Sequence, residues 1–293
     1  VVLVADPQTK RAGAVGGQHV VREVDGHDVN ALAAAGYKEA VLTGVHLGAY
    51  GRDQGESADL STLVRAVLER TSIPRLRLSS LEPWDIPLDF FRLWGSSRLC
   101  RHLHLPLQSG SGATLRRMAR HTTPAAFARL AAVARAHIPD LALTTDVMVG
   151  FPGETEAEFE ESLAFVQEID CAKLHVFRYS PRPGTAAAAM PGQVDEVAKR
   201  SRSARMQALS EQAARRFRER FVGRALPVLW ESVKGTGQNG WRNTGLTDNY
   251  LRVWLAAPRA LTNTITPVRL TSLVEGGLAG SLPCEPGAQP LSA

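Results

Sequence analysis

Several short segments bring together residues suited to holding a flat, polar or anionic ligand. In GFPGET, residues 150–155, Gly150 and Gly153 permit close backbone approach where an apolar strand meets a helix start. A plain structural turn uses the same residues. In TTDVMVG, Asp146 interrupts an otherwise apolar strand, where an unpaired carboxylate is costly, so it calls for a structural hydrogen bond or a ligand. HLHLPLQSGSG, residues 102–112, ends a strand with Gln108, Ser109 and Ser111, short polar groups suited to a sugar or a carboxylate. RLSSLEP sets Ser79, Ser80 and Glu82 after another strand, and RYSPRPGT sets Tyr179, Ser180, Arg182 and Thr185 after a third.

Metal chemistry finds little support. His104 has no second His, Cys or acidic residue at metal-ligand spacing nearby and reads as a satisfied histidine. Cys100, Cys171 and Cys284 lie far apart, with no pair at the spacing of a zinc, iron-sulfur or dithiol motif, and read as isolated buried thiols. A net charge of +5 favours a polyanionic partner without identifying one.

These segments need strands and helices to place them. From about Asp28, short apolar runs alternate with helical stretches, a βα order that implies a parallel sheet. The pattern predicts strands over 40–43, 76–79, 103–107, 141–149 and 173–179. It predicts helices over 29–35, 59–69, 87–93, 114–120, 124–137 and 156–168. Thr155 and Glu158 have capping-box spacing, and Phe159, Leu163 and Val166 then share a helical face. Right-handed crossovers carry the strand ends to one rim, so five polar or Gly-rich loops, 43–51, 79–83, 108–112, 150–154 and 180–185, converge there.

A long helix is predicted over 195–221, with Met206, Leu209, Ala213, Phe217 and Phe221 as its apolar seam. Beyond its first turn its basic residues, Arg205, Arg215, Arg216 and Arg218 among them, face only Glu211 and Glu219. That composition suits a nucleic-acid surface or a solvated face. After Gly223, strand-like runs over 226–233, 251–255 and 265–270 are divided by turn residues, as in a small five-stranded barrel. No run approaches the roughly 18 apolar residues of a membrane span, so the expected location is cytoplasmic. The segment before Gln18 shows no clear periodicity. The chain opens on Val1 rather than Met, which reads as N-terminally incomplete.

In order and spacing, AGYKEAVLTGVHLGAYGRD, RLRLSSLEP, HLHLPLQSGSGATLRRMAR, TTDVMVGFPGETEAEFEES and KLHVFRYSPRPGT resemble the MiaB/MtaB methylthiotransferases of the radical-SAM superfamily. The resemblance runs from about Ala34 to Ala188. GRALPVLWE and GLTDNYLRVW are similar to pieces of the family's C-terminal TRAM domain, and TGVHLGAYG with RLSSLEP is more similar to the MtaB branch.

The resemblance implies an α/β fold: a partial TIM-type parallel barrel followed by a small all-β TRAM-like barrel. By it, residues 1–18 stay unassigned, 19–190 form the radical-SAM-like barrel, 191–222 a basic linker helix and 223–293 the TRAM-like domain. It implies S-adenosylmethionine as cofactor, approached by Ser79, Glu82, Gln108, Ser109 and Asp146. The adenine would meet the backbone from Gly150 through Phe151 and Pro152 to Gly153, and that of Phe177 and Tyr179. It implies methylthiolation of threonylcarbamoyl-adenosine beside the anticodon of tRNA. The anticodon arm would be met by Arg205, Arg215, Arg216 and Arg218, and stacked on Tyr250 or Trp254, which suit a barrel core equally well.

The departures are as specific. The family's CxxxCxxC loop, whose thiolates hold a [4Fe-4S] cluster, has no counterpart upstream of His27, and neither does the family's N-terminal domain with its second cluster. Arg178 stands where the family usually has proline. No catalytic residue is identifiable, and the electron donor of the intact enzyme has no cluster here to serve. Other readings are an RNA-binding remnant that has lost catalysis, the isopentenyl-adenosine branch, and an unrelated αβ-barrel enzyme that uses its rim for a phosphate ligand.

Overall fold

The computed structural model describes residues 2–4, 13–15, 18–20, 26–51, 59–237 and 240–283. Cys284, Arg52 and Asp53 lie outside the described residues. The chain divides into two compact units, Val1–Arg216 and Phe217–Ala293.

The first unit is built on six parallel strands. One sheet has the order β1 (Val2–Val4), β4 (Glu39–Thr43), β5 (Arg75–Leu78), and a second has β6 (His102–His104), β7 (Ala142–Val149), β8 (Lys173–Arg178). Parallel bridges from Leu76 to Leu99 and from Ser80 to His104 join them into one run, and the Leu81 N–H donates to the His104 oxygen at 3.0 Å. A short hairpin, β2 (Gly13–Val15) with β3 (Gln18–Val20), precedes β4. Three-residue strands such as these are too short to show a period in sequence.

Helices alternate with the strands: α1 (Gly26–Ala34), α2 (Leu60–Arg70), α3 (Gly112–Arg117), α4 (Pro124–His137) and α5 (Glu156–Ile169). Their starts follow from local chemistry. Asp59 accepts the Thr62 N–H at 2.7 Å to cap α2, and Thr123 caps α4 with Pro124 at its first turn. At α5 the Thr155 and Glu158 side chains cap reciprocally, as the spacing predicts. Leu88–Gly95, expected as an α-helix, is a 3-10 helix instead. Its tighter winding buries Phe90, Phe91 and Trp94, and the Trp94 indole donates to the Cys100 oxygen at 2.9 Å.

Strand alternation divides the sheet into two faces. Leu42, Leu76, Leu78, Leu143, Val147 and Val149 join Val64, Phe127 and Phe159 of the helices in one hydrophobic cluster. The opposite face is polar, with Glu39, Arg75 and Arg77 on β4 and β5, and His102, His104, Thr144, Asp146 and His175 on the last three strands. Strand β6 is shorter than its apolar pattern predicts because Pro106 has no N–H for the ladder. Thr145 makes up part of the pairing, donating to the Leu105 oxygen at 2.6 Å and accepting the Leu107 N–H at 3.0 Å.

Helix α6 (Glu196–Glu219) follows β8. Ser210 on this helix accepts the Leu174 N–H at 3.0 Å and donates to the Leu174 oxygen at 3.1 Å, occupying both backbone groups of that residue.

The second unit is a closed barrel of β9 (Ala225–Gly237), β10 (Gly240–Thr247), β11 (Arg252–Ala257), β13 (Gly277–Ser281) and β12 (Ile265–Val274), in the order β10-β11-β13-β12-β9. Only β11 and β13 pair in parallel. Val228, Trp230, Val253, Val268, Leu270 and Leu278 fill it. The sequence pattern predicts three of its strands and assigns no strand to β10 (GWRNTGLT) or β13 (GLAGS). Gly245 explains one of those differences: a Cβ there would overlap the Leu229 oxygen across the strand pair, so β10 needs a glycine where propensity disfavours it. No described helix is long and apolar enough to cross a membrane.

Candidate functional site

At the C-terminal side of the sheet, Ser79 and Glu82 follow β5, and Gln108 pairs its backbone with β7, where Asp146 lies within electrostatic reach of Glu82. The Gln108 N–H donates to the Asp146 oxygen and its own oxygen accepts the Met148 N–H, each at 2.8 Å. This pairing puts Gln108 at φ +75°, a left-handed conformation that costs a non-glycine residue energy. Ser79 follows β5 directly, its N–H bonded to the Leu42 oxygen. Its hydroxyl and Glu82 Oε2 are buried polar atoms with no hydrogen-bond partner. Orphaned acceptors at a strand end are what a ligand rich in hydroxyl and ammonium donors would satisfy.

Burial raises the Glu82 carboxyl above its ordinary value of 4.5, against the pull of Arg120 and His46, while Asp85 and Asp146 push it further up. Glu82 therefore lies within the electrostatic reach of Asp146. Beside it, His46 Nε2 is bonded to the Asp85 carboxylate, tying the loop after β4 to the loop after β5.

The GFPGET loop differs from the sequence expectation. Gly150 and Gly153 have φ of +74° and +77°, but neither offers an open backbone face. The space of a Cβ at Gly150 is filled by the Lys199 stem, and at Gly153 Arg117 Nε stands 3.3 Å away. Both amides are also taken: Gly150 N–H donates to Glu154 Oε2 at 2.6 Å, and Gly153 N–H to the Gly192 oxygen at 2.7 Å. The loop closes onto helix α6 instead of forming an anion nest. Glu154 in turn accepts from Arg202, and Lys199 Nζ lies 5.4 Å from the Tyr179 ring centroid.

Phe151 and Pro152 are buried, and Phe151 packs edge-on against Tyr179 with centroids 5.3 Å apart. Tyr179 is itself buried, with a hydroxyl that has no partner. Phe177 is half exposed on the polar face and offers a ring to a flat ligand. Ser109, expected at the rim, is fully buried: its hydroxyl accepts the Ser111 N–H at 3.1 Å, because the turn is pinned inward by Gly110 N–H on Ser162.

The basic helix also pairs more than its composition suggests. Arg205 bridges Glu156 and Glu160, and Arg216 meets Asp170 at 2.9 Å. Arg215 is exposed, whereas Arg218 keeps a buried Nε without a hydrogen-bond partner. In the second unit, Tyr250 is half exposed at φ +67°, held by Thr247, whose oxygen accepts the Tyr250 N–H and whose hydroxyl donates to Asn249. Trp254 lies against the hairpin glycines Gly276 and Gly277.

The described cysteines do not fit an iron-sulfur cluster. Cys100 is buried with its Sγ 3.7 Å from Glu39 Oε2, and burial pushes the Cys171 thiol up to about 12. Among the described residues no group of three His, Cys, Asp or Glu is arranged to hold a metal ion. Lys199 and Arg202, read from sequence as part of the basic helix's polar surface, are buried against Tyr179 and Glu154. Glu154 and the pair His102 and Thr144 carry no role in the sequence reading, because these roles come from contacts between residues distant in the chain. No spacing signals them.

The parallel α/β sheet with its polar strand ends agrees with a family match: residues 18–166 fit the model of the radical SAM superfamily. The chain belongs to that superfamily. Within it, the chain is 38% identical over 240 residues to the threonylcarbamoyladenosine tRNA methylthiotransferase MtaB of Bacillus subtilis, covering 82% of this chain and 53% of that protein. It is 39% identical to MtaB of Thermotoga maritima, covering 70% of this chain and 47% of that protein. It is 34% identical to the tRNA-2-methylthio-N(6)-dimethylallyladenosine synthase of Acetivibrio thermocellus, covering 87% and 53%. The chain spans about half the length of these curated relatives.

Proposed function

We propose that the chain supplies the cofactor-binding and RNA-binding parts of a tRNA methylthiotransferase acting at C2 of threonylcarbamoyl-adenosine beside the anticodon. The observation that carries this reading is the cluster of Ser79, Glu82, Gln108 and Asp146, with two orphaned oxygens, at the strand ends of a radical SAM domain. These four would hold the ribose and methionyl groups of S-adenosylmethionine, with the adenine against Phe177. Phe151, Pro152, Gly150, Gly153 and Tyr179 would support that edge from beneath. Bound, this cofactor carries a transferable methyl group and a reducible sulfonium. No step is assigned to a cluster, because the cysteines described do not fit one, and the chain alone is expected to show no radical chemistry.

The second unit reads as a TRAM-like RNA-binding barrel. Tyr250 supports this: an exposed aromatic held in a left-handed conformation by a buried polar network is a suitable stacking platform. Arg218, with its unpartnered buried Nε, and the exposed Arg215 are proposed to meet the RNA from this helix. Arg205 and Arg216 would have to leave acidic partners, and Trp254 serves the barrel wall. The threonylcarbamoyl substrate rests on the similarity of TGVHLGAYG and RLSSLEP to the MtaB branch.

Binding of anticodon stem-loops carrying threonylcarbamoyl- or isopentenyl-adenosine, followed by fluorescence anisotropy, tests the RNA half. Preference for the first supports this assignment, and preference for the second moves the chain to the other branch. Calorimetry with S-adenosylhomocysteine tests the cofactor half. RNA binding without nucleoside binding would favour a second reading, an RNA-binding remnant. Cleavage of S-adenosylmethionine by iron-reconstituted chain under reducing conditions would refute the expected inactivity.

A further inference from the structure

On the polar face, four side chains from β6 and β7 form a line. His102 Nε2 lies 3.2 Å from Thr144 Oγ1, Thr144 Oγ1 lies 2.9 Å from His104 Nδ1, and His104 Nε2 lies 3.3 Å from Asp146 Oδ1. The strand register produces this spacing, since His104 is directly opposite Thr144 and Asp146 is the next residue on the same face.

Proton counting fixes the direction of the line. A carboxylate offers only lone pairs, so the His104 tautomer with Nε2–H turned toward Asp146 Oδ1, 3.3 Å away at ion-pair distance, avoids lone-pair repulsion. If His104 is neutral, its Nδ1 is an acceptor and takes the single Thr144 hydroxyl proton. Thr144 Oγ1 then accepts from His102, which must present Nε2–H. Burial foremost, with Arg77 adding, lowers the His102 pKa to about 3, so that ring is neutral. The competing acceptor for the Thr144 proton, the Leu103 oxygen, is further away at 3.4 Å. His175 stands edge-on to His104 with centroids 5.5 Å apart and is itself depressed by burial, with His104 and Lys173 adding, so it brings no settled positive charge to the line.

We propose that His102, Thr144 and His104 form a one-way hydrogen-bond relay whose end, His104 Nε2–H, faces Asp146 Oδ1 and positions this carboxylate electrostatically, leaving Oδ2 for donor groups of the bound nucleoside. The role rests on the cofactor reading above, while the relay itself stands on the geometry alone. His102, Thr144 and His104 are positioning residues, and Asp146 is the group that touches the ligand.

Long-range ¹H–¹⁵N correlation spectra of the histidine-labelled chain at neutral pH read the tautomers directly. Neutral Nε2–H rings at both His102 and His104 are expected. A doubly protonated His104, or an Nδ1–H tautomer at either ring, overturns the relay. Calorimetry with S-adenosylhomocysteine then separates the two readings. Thr144→Val is expected to weaken binding by about tenfold, the scale of one charge-assisted hydrogen bond, and Thr144→Ser to restore it. Equal binding by Thr144→Val overturns the positioning role. Failure of the wild-type chain to bind sinks the cofactor reading and the positioning role with it, while the tautomers still decide the relay.

Discussion

The Arg202 guanidinium donates twice to Glu154, to Oε2 at 2.8 Å and to the backbone oxygen at 3.1 Å, and both side chains are less than a tenth exposed. Since Glu154 also accepts the Gly150 N–H, this one carboxylate fastens the GFPGET loop to helix α6. Removing one member of a buried pair strands the other. Arg202→Ala is therefore expected to cost about 3–5 kcal/mol, read from urea unfolding, whereas replacing both residues by apolar ones should cost much less. A single-site loss below about 1 kcal/mol, the scale of exposed ion pairs, would show that water reaches Glu154.

Glu82 gives a pH dependence with a definite sign. Its folded-state carboxyl is raised above 4.5, foremost by burial, so the folded state holds this proton more tightly than the unfolded chain. The stability it contributes is present in full below 4.5 and is lost as pH rises through the folded value. Glu82→Gln should therefore be more stable than wild type at neutral pH and lose that advantage on acidification. Parallel stability curves for the two proteins would contradict this.

Thr155→Ala removes the hydroxyl that caps α5, and the expected loss is about 1 kcal/mol with an unchanged denaturant slope. Thr155→Ser should recover most of it. A changed slope would mean that the cap governs more than the helix end.

Both described thiols should resist modification in the folded chain. Cys171 is held up to about 12 by burial, and Cys100 is enclosed beside Glu39. Ellman's reagent at pH 8 should label neither until urea is added, with peptide mapping to separate them from Cys284. Rapid labelling of Cys171 in the native protein would refute the burial argument.

The periodic parts of the molecule were legible in the sequence. Strands β4, β5, β7 and β8 and helices α2, α4 and α5 lie within a few residues of their predicted bounds, because each carries an apolar face with a cap or turn at its end. What the pattern could not carry was partnership across the chain. Gly150 reads as an approach point for a ligand until Lys199, from a distant helix, is seen to fill its open side. Ser109 reads as a rim residue until Ser162 draws the adjoining Gly110 amide inward. Strands β10 and β13 escaped because Gly245 and Gly280 serve close packing in a closed barrel, a requirement that outweighs strand propensity.

The two hydrogen bonds from Ser210 to Leu174 carry a consequence for handling and engineering the protein. A strand whose outer backbone groups are free is a template for another chain, and a helix side chain that imitates a strand partner blocks that template. Cutting the chain just after β8 to obtain a minimal domain would remove this block together with Arg202. The excised piece should self-associate through its raw edge, whereas a cut placed after Ser210 should remain dispersed.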